Sequence, residues 1–159
     1  MSPHSMLVFV HLFAAFLLIG GATSMRVGLV LMRSASHGGE ALGAYRAYTL
    51  APKLIGPSLV LTVLTGIILA WHIGYTWRAL WVSASVALSI AIVIWREVVV
   101  GPPAKLLHAA SLQAAADPAA HGGALIALAR QRRLHLGHLG IELANVAILA
   151  LMVFKPMSL

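Results

Sequence analysis

The sequence predicts an all-α integral membrane protein: a single domain, residues 1–159, built as a bundle of four membrane-spanning helices with amphipathic cytoplasmic connector helices. Of its residues, 60% are hydrophobic and only 9% are charged, whereas about a quarter of a soluble domain is charged. Four apolar runs each approach the roughly 20 residues that a helix needs to cross the hydrocarbon core. The basic residues lie between these runs, without interleaved aromatic residues, which excludes nucleic acid as a partner.

The first span is predicted over about residues 6–32, where Arg26 interrupts an otherwise apolar run. Residues 34–53 form the first connector, and the composition of residues 40–50 favours a short interfacial helix. Pro52 is predicted to end that helix because proline lacks the backbone donor that a helix interior requires. Pro57 is then predicted to open or slightly kink the second span, over about residues 54–75.

The third span is predicted over about residues 79–98, after a very short loop at 76–78 that makes spans two and three antiparallel neighbours. Gly101, Pro102 and Pro103 are predicted to stop that helix. The long connector that follows, residues 104–133, has two predicted breaks, at Asp117-Pro118 and at Gly122-Gly123. It leads into the fourth span, over about residues 134–154.

Charge near the spans predicts the orientation. The two long connectors carry Arg33, Arg46, Lys53, Lys105, Arg130, Arg132 and Arg133, and the opposite side carries only Arg78 and Lys155. The positive-inside rule therefore predicts cytoplasmic connectors and both termini outside, in the inner membrane of a bacterium. We expect Arg130, Arg132 and Arg133 to contact anionic lipid headgroups. Besides the bilayer, a second copy of the chain or a larger membrane complex is an expected partner.

Two histidines are expected in the outer half of the bundle, His11 in span one and His72 near the end of span two. The chain has no cysteine, so a metal or haem would have to be held by His, Met, Glu or Lys. Because imidazole is a common axial ligand of haem iron and helix bundles build cofactor sites from inward-facing side chains, His11 and His72 are predicted to clamp one haem b. The structural alternative is that His11 bonds a neighbouring carbonyl or hydroxyl group and that His72 is interfacial.

Span four carries a polar stripe near its cytoplasmic end. Its members, His135, His138, Glu142 and Asn145, fall on one helical face because their offsets are 0, 3, 7 and 10. Polar groups within a membrane usually face protein, water or a cofactor. His138 and His135 could hold a second haem or a metal, Glu142 could relay protons, or Glu142 could pair with Arg26.

Several short motifs carry a family resemblance: His11 with Gly20-Gly21, Pro57 with Thr65-Gly66, Trp81, and the run Met152-Val153-Phe154-Lys155-Pro156. Over nearly its whole length the chain resembles the domain-of-unknown-function 2269 family, predicted integral membrane proteins, a resemblance that implies architecture rather than an activity. More remotely, span one is similar to the copper-resistance membrane domain and to the small membrane-bound protoporphyrinogen oxidase group. That similarity implies a haem-linked role for His11 alone, because the Trp and the Tyr-x-Pro-Arg run of the oxidase group are absent.

Two functions follow as expectations. The first is a b-type haem-binding membrane protein in electron transfer or haem handling, a class that includes haem-dependent membrane oxidoreductases. The second is a non-catalytic accessory subunit or small transporter, in which the stripe of span four contacts a partner helix or lines a solute path. Hydrolase, kinase and nucleotide-binding functions have no support, since the sequence contains no catalytic triad, HExxH motif or phosphate-binding loop.

Overall fold

Six α-helices and one π-helical segment make up nearly all of residues 2–75 and 79–155, which the computed structural model describes. They are α1 (Pro3–Ser34), α2 (Gly38–His72), α3 (Leu80–Trp95), the π-helical segment (Arg96–Val100), α4 (Gly101–Ala116), α5 (Pro118–Ala129) and α6 (Arg132–Phe154). Those two ranges contain no β-strand. The predicted loop at 76–78, with Arg78, and Pro156 lie outside the described residues.

Four helical stretches are long and apolar enough to cross a membrane: α1, α2, the continuous stretch Leu80–Ala116 and α6. The prediction of an all-α, four-span membrane bundle is therefore confirmed. Consecutive stretches run in opposite directions, so α1 begins, α2 ends, α3 begins and α6 ends at one side of the bundle. We call this side the terminal end and the opposite side, with α4 and α5, the connector end.

α2 is one helix of 35 residues that passes through both Pro52 and Pro57. The prediction that Pro52 ends a separate connector helix is thus wrong. A membrane helix tolerates proline where neighbouring helices compensate for the lost hydrogen bond. Here α1 packs closely on both sides of Pro52: a Cβ added at Gly28 would lie 3.0 Å from the Cα of Tyr48, and one added at Gly21 would lie 2.7 Å from the Ile55 side chain.

The helix that begins with α3 does not stop at Gly101, Pro102 and Pro103, as predicted from the sequence. A π-helical segment, Arg96–Val100, precedes these residues and joins α3 to α4. The two prolines then occupy the first positions of α4. At the first turn of a helix the missing N–H group costs little, and a change in hydrogen-bond pattern just before it lets the chain remain helical.

The connector end holds the main hydrophobic core. Its fully buried large side chains are Leu29, Met32, Leu107, Leu125 and Leu134. The predicted break at Asp117-Pro118 is present, and the Asp117 carboxylate accepts hydrogen bonds from the N–H groups of Ala119 and Ala120. Gly122 does not break α5. It packs against Gly38 instead, where a Cβ would lie only 2.1 Å from the Gly38 Cα, so α2 and α5 cross in close contact.

The terminal end is held by a few aromatic contacts. The ring of His4 stacks on that of His72 with centroids 5.2 Å apart. The ammonium group of Lys155 lies 5.7 Å from the Trp81 ring centroid and 5.9 Å from that of Tyr75. Few large side chains fill the space between these residues and the connector-end core, and a cavity lies there.

Candidate functional site

His11 joins α1 to α2 through one nitrogen of its ring. Its Nδ1 lies 3.1 Å from the carbonyl oxygen of Thr62 and 3.0 Å from the hydroxyl oxygen of Thr65. The Thr65 hydroxyl donates its own proton to the Leu61 carbonyl at 2.6 Å, so both groups accept from Nδ1–H. In a neutral imidazole the other nitrogen, Nε2, then carries a free lone pair.

Gly66 makes room for the imidazole. A Cβ added at this position would lie 3.0 Å from Cε1 of His11, which is closer than most real contacts. Two parts of the sequence signature, His11 on α1 and Thr65-Gly66 on α2, therefore form one contact. A small residue and a hydroxyl acceptor at adjacent positions together fix the orientation of the histidine ring.

His11 lines a cavity of about 320 Å³ between α1, α2, α3 and α6, toward the terminal end. Most of the wall is apolar, as in many cofactor sites. The side chains with polar atoms in the wall are His4, His11, Thr62, Trp81, Ser85, Ser89, Asn145 and Lys155. The cavity thus combines a hydrophobic body with a few separated polar groups.

Three buried side-chain atoms in the described part of the chain have no hydrogen-bond partner: His4 Nδ1, Thr62 Oγ1 and Trp81 Nε1. All three residues line this same cavity. A buried polar atom without a partner costs about 1–3 kcal/mol, and such atoms in a native protein call for an explanation. Their convergence indicates that the cavity takes up a molecule with polar groups of its own, or ordered water.

His72 does not lie beside His11. It is exposed and stacks on His4, whereas His11 contacts Thr62 and Thr65. Seven residues of helix, about 10 Å, separate Thr65 from His72 along α2, so the two histidines lie at different depths and do not face each other across one iron. His4 was not predicted from the sequence as a site residue, because α1 was expected to begin later. The offset of seven residues between His4 and His11 places both on one helical face and could have indicated it.

The histidines of α6 have protein partners. The Tyr48 hydroxyl lies 3.1 Å from Nε2 of the buried His138. Arg33 donates to Nδ1 of His135 at 3.2 Å, which leaves the proton of neutral His135 on Nε2. Among the described residues, no group of three or more His, Cys, Asp or Glu side chains is placed to hold a metal ion.

Glu142 pairs with Arg26, across from α6 to α1. The Arg26 Nη1 donates to Glu142 Oε2 at 2.7 Å, and each side chain is 30% exposed. Glu142, His138 and Asn145 also line a second, smaller cavity of about 60 Å³. Asn145 lies in the walls of both cavities, so it marks the place where they adjoin.

Arg130, just before α6, and Arg132 and Arg133, at its first two positions, are all exposed. Arg130 Nε donates to the Arg33 carbonyl at 3.1 Å, and Arg133 Nη2 donates to the Val98 carbonyl at 2.9 Å. Two of the three therefore also tie α6 to α1 and to the π-helical segment.

The helices, their lengths and the His11 cavity define the class of protein: a multi-pass, all-α membrane protein with a mostly apolar cavity in the bundle. The profile of DUF2269, described as a predicted integral membrane protein, matches residues 5–156. The chain therefore belongs to the DUF2269 family. Comparison with curated proteins and with solved structures gave no match.

Proposed function

We propose that the protein binds one haem b in the cavity beside His11, with Nε2 of His11 as the iron ligand, and takes part in electron transfer or haem handling. The observation that carries the proposal is the hydrogen bonding of His11. A histidine that ligates a metal commonly donates its other N–H to a backbone carbonyl, which fixes the tautomer and the ring orientation. His11 has this arrangement, with Thr62 and Thr65 as acceptors.

The wall of the cavity suits the porphyrin ring of a haem and its carboxylate groups. Its mostly apolar lining matches a porphyrin face, and its few separated polar groups are typical of small-molecule sites. Lys155 and the Nε1–H of Trp81, at the terminal end, are donors that suit carboxylate groups. When bound, the haem supplies one-electron chemistry at its iron.

His72 has no ligand role in this proposal. Its stacking on His4 and its distance along α2 from Thr65 favour an interfacial role. His135 and His138 are likewise assigned to the packing of the connector end, because Arg33 and Tyr48 already engage them.

The experiment is an absorption spectrum of the full chain, purified in detergent after expression with added haem precursor. A Soret band that persists through size-exclusion chromatography, at about one haem per chain, is the expected result. A protein without a Soret band, even after incubation with haem, would overturn the proposal.

A second function, a small transporter or accessory subunit, is favoured by one observation. Asn145, Glu142 and His138 line adjoining cavities along α6, so their polar groups follow one another through the bundle. That arrangement suits a solute path or a contact with a partner helix. In that case the protein would purify without haem, together with a larger complex, and Glu142→Leu would abolish transport or assembly.

We propose that the protein lies in the inner membrane of a bacterium, with the connector end in the cytoplasm and both termini outside. The support is the excess of Lys and Arg near the connector end. Arg130, Arg132 and Arg133 are exposed there and are proposed to contact anionic headgroups as well as the carbonyls described above.

A further inference from the structure

A groove of about 600 Å³ runs along the outer surface of α1 and α2. It shares no lining residue with the two cavities described above. Small residues form its floor, among them Gly20, Ser24 and Ala51, and exposed apolar side chains such as Phe16 and Leu50 form its rim. The groove is therefore separate from the His11 site.

The depth of the groove follows from the length of α1. We place one boundary of the hydrocarbon core at Pro3, where α1 begins; twenty residues of helix counted from there span about 30 Å, the thickness of the core. Phe16 and Gly20 therefore lie within the hydrocarbon region, and Thr23 and Ser24 lie at its boundary near the connector end. The rest of the groove, toward Leu31, lies at the level of lipid headgroups.

Two exposed basic side chains of α2 flank this part of the groove. Gly28 packs against Tyr48 and Gly21 against Ile55, and this register places Lys53 at the depth of Thr23. Arg46 lies further toward the headgroups. Lys53 and Arg46 are each about one turn from Leu50, which lines the groove, and both are exposed.

We propose that the groove binds one anionic phospholipid. An acyl chain lies along Phe16 and Gly20, and the phosphate lies near Lys53 and Arg46. The ester region lies at the hydroxyl of Thr23, since that of Ser24 donates to the Gly20 carbonyl at 2.8 Å. The order of apolar, hydroxyl and basic groups along the groove matches the order of these parts in a phospholipid. Basic side chains at the membrane surface favour anionic over zwitterionic headgroups.

A second copy of the chain fits the groove less well. In a two-fold symmetric dimer the same patch of both copies meets at the interface. Arg46 and Lys53 of one copy would then face the same residues of the other copy, and like charges repel.

Gly20 and Gly43 provide a matched pair of variants for the test. A Cβ added at either glycine meets no atom within 4 Å. Gly20→Leu therefore places a side chain in the groove with open space around its Cβ, and Gly43→Leu adds the same side chain to α2 outside the groove-lining residues. The readout is native mass spectrometry of delipidated protein titrated with phosphatidylglycerol or phosphatidylcholine, with the oligomeric state recorded in the same spectra.

The wild type is expected to bind one phosphatidylglycerol more tightly than phosphatidylcholine. Gly20→Leu should weaken that binding by about tenfold, because the added side chain replaces van der Waals contacts of the acyl chain along the groove, and Gly43→Leu should leave it unchanged. Arg46→Gln combined with Lys53→Gln should weaken phosphatidylglycerol binding by about 30-fold and leave phosphatidylcholine binding unaffected.

Equal lipid binding by the wild type and Gly20→Leu would overturn the proposal, as would an equal preference of the wild type for the two lipids. A dimeric wild type that Gly20→Leu converts to a monomer, with lipid binding unchanged, would show that a second copy occupies the groove. None of these readouts depends on haem.

Discussion

Single side chains decide which histidines are free to bind a ligand. Tyr48 and Arg33 each engage a ring nitrogen of a histidine on α6. The partners of His11, in contrast, accept from Nδ1 alone and leave Nε2 without a partner among the described residues. Spacing along the chain cannot make this distinction, because it depends on side chains that come from other helices.

The Arg26–Glu142 pair is expected to act as a structural unit. Arg26→Leu leaves the Glu142 carboxylate in the bundle without its partner, and we expect this to lower the free energy of unfolding by about 2 kcal/mol, less than for a fully buried pair, because 30% of each side chain is exposed. Glu142→Leu should have a similar effect. The double variant should recover most of the loss, since no unpaired charge remains.

Thermal unfolding of the four proteins in one detergent measures this effect. A double variant no more stable than either single variant would contradict the structural role of the pair.

Among the helices, continuity is the feature that the sequence did not predict. Pro52 and the run from Gly101 to Pro103 were expected to end helices, as they usually do in soluble proteins. In this bundle close packing by α1 supports α2 near Pro52, and the π-helical segment joins α3 to α4. Both effects depend on tertiary contacts or on the hydrogen-bond pattern, so proline positions alone do not reveal them.

The crossing of α2 and α5 gives a prediction for adjacent glycines. Gly122→Ala places a Cβ about where the Gly38 backbone lies, and we expect it to lower the free energy of unfolding by about 1–3 kcal/mol through overpacking. Gly123→Ala meets no atom within 4 Å and should raise helix stability by up to about 1 kcal/mol. The midpoints of thermal unfolding in detergent compare Gly122→Ala with Gly123→Ala. Equal midpoints would contradict the close contact of α2 and α5 at Gly38 and Gly122.

The orientation of the whole molecule can be tested on a background free of cysteine. Ile73 is exposed at the terminal end and Gln113 is exposed on α4 at the connector end. With the termini outside, a membrane-impermeant thiol reagent should label Ile73→Cys in intact spheroplasts and Gln113→Cys only after lysis. Labelling of Gln113→Cys in intact spheroplasts, with Ile73→Cys protected, would reverse the proposed orientation.

The length of the four apolar segments and their low charge were enough to predict the class of the whole molecule, because segments of this kind cross a membrane as helices. The same patterns located His11 and the possible pairing of Glu142 with Arg26. They did not locate the cavity, which depends on how side chains from four helices pack together. Nor did they separate His11 from His72 in depth, because that depends on where α1 begins and how it packs against α2.

The most direct test of the central proposal compares the haem spectra of three proteins: the wild type, His11→Ala and His72→Ala. The proposal predicts a stoichiometric Soret band in the wild type and in His72→Ala, and loss of that band in His11→Ala with recovery on addition of imidazole. Retention of an unchanged Soret band in His11→Ala, or its loss only in His72→Ala, would contradict it.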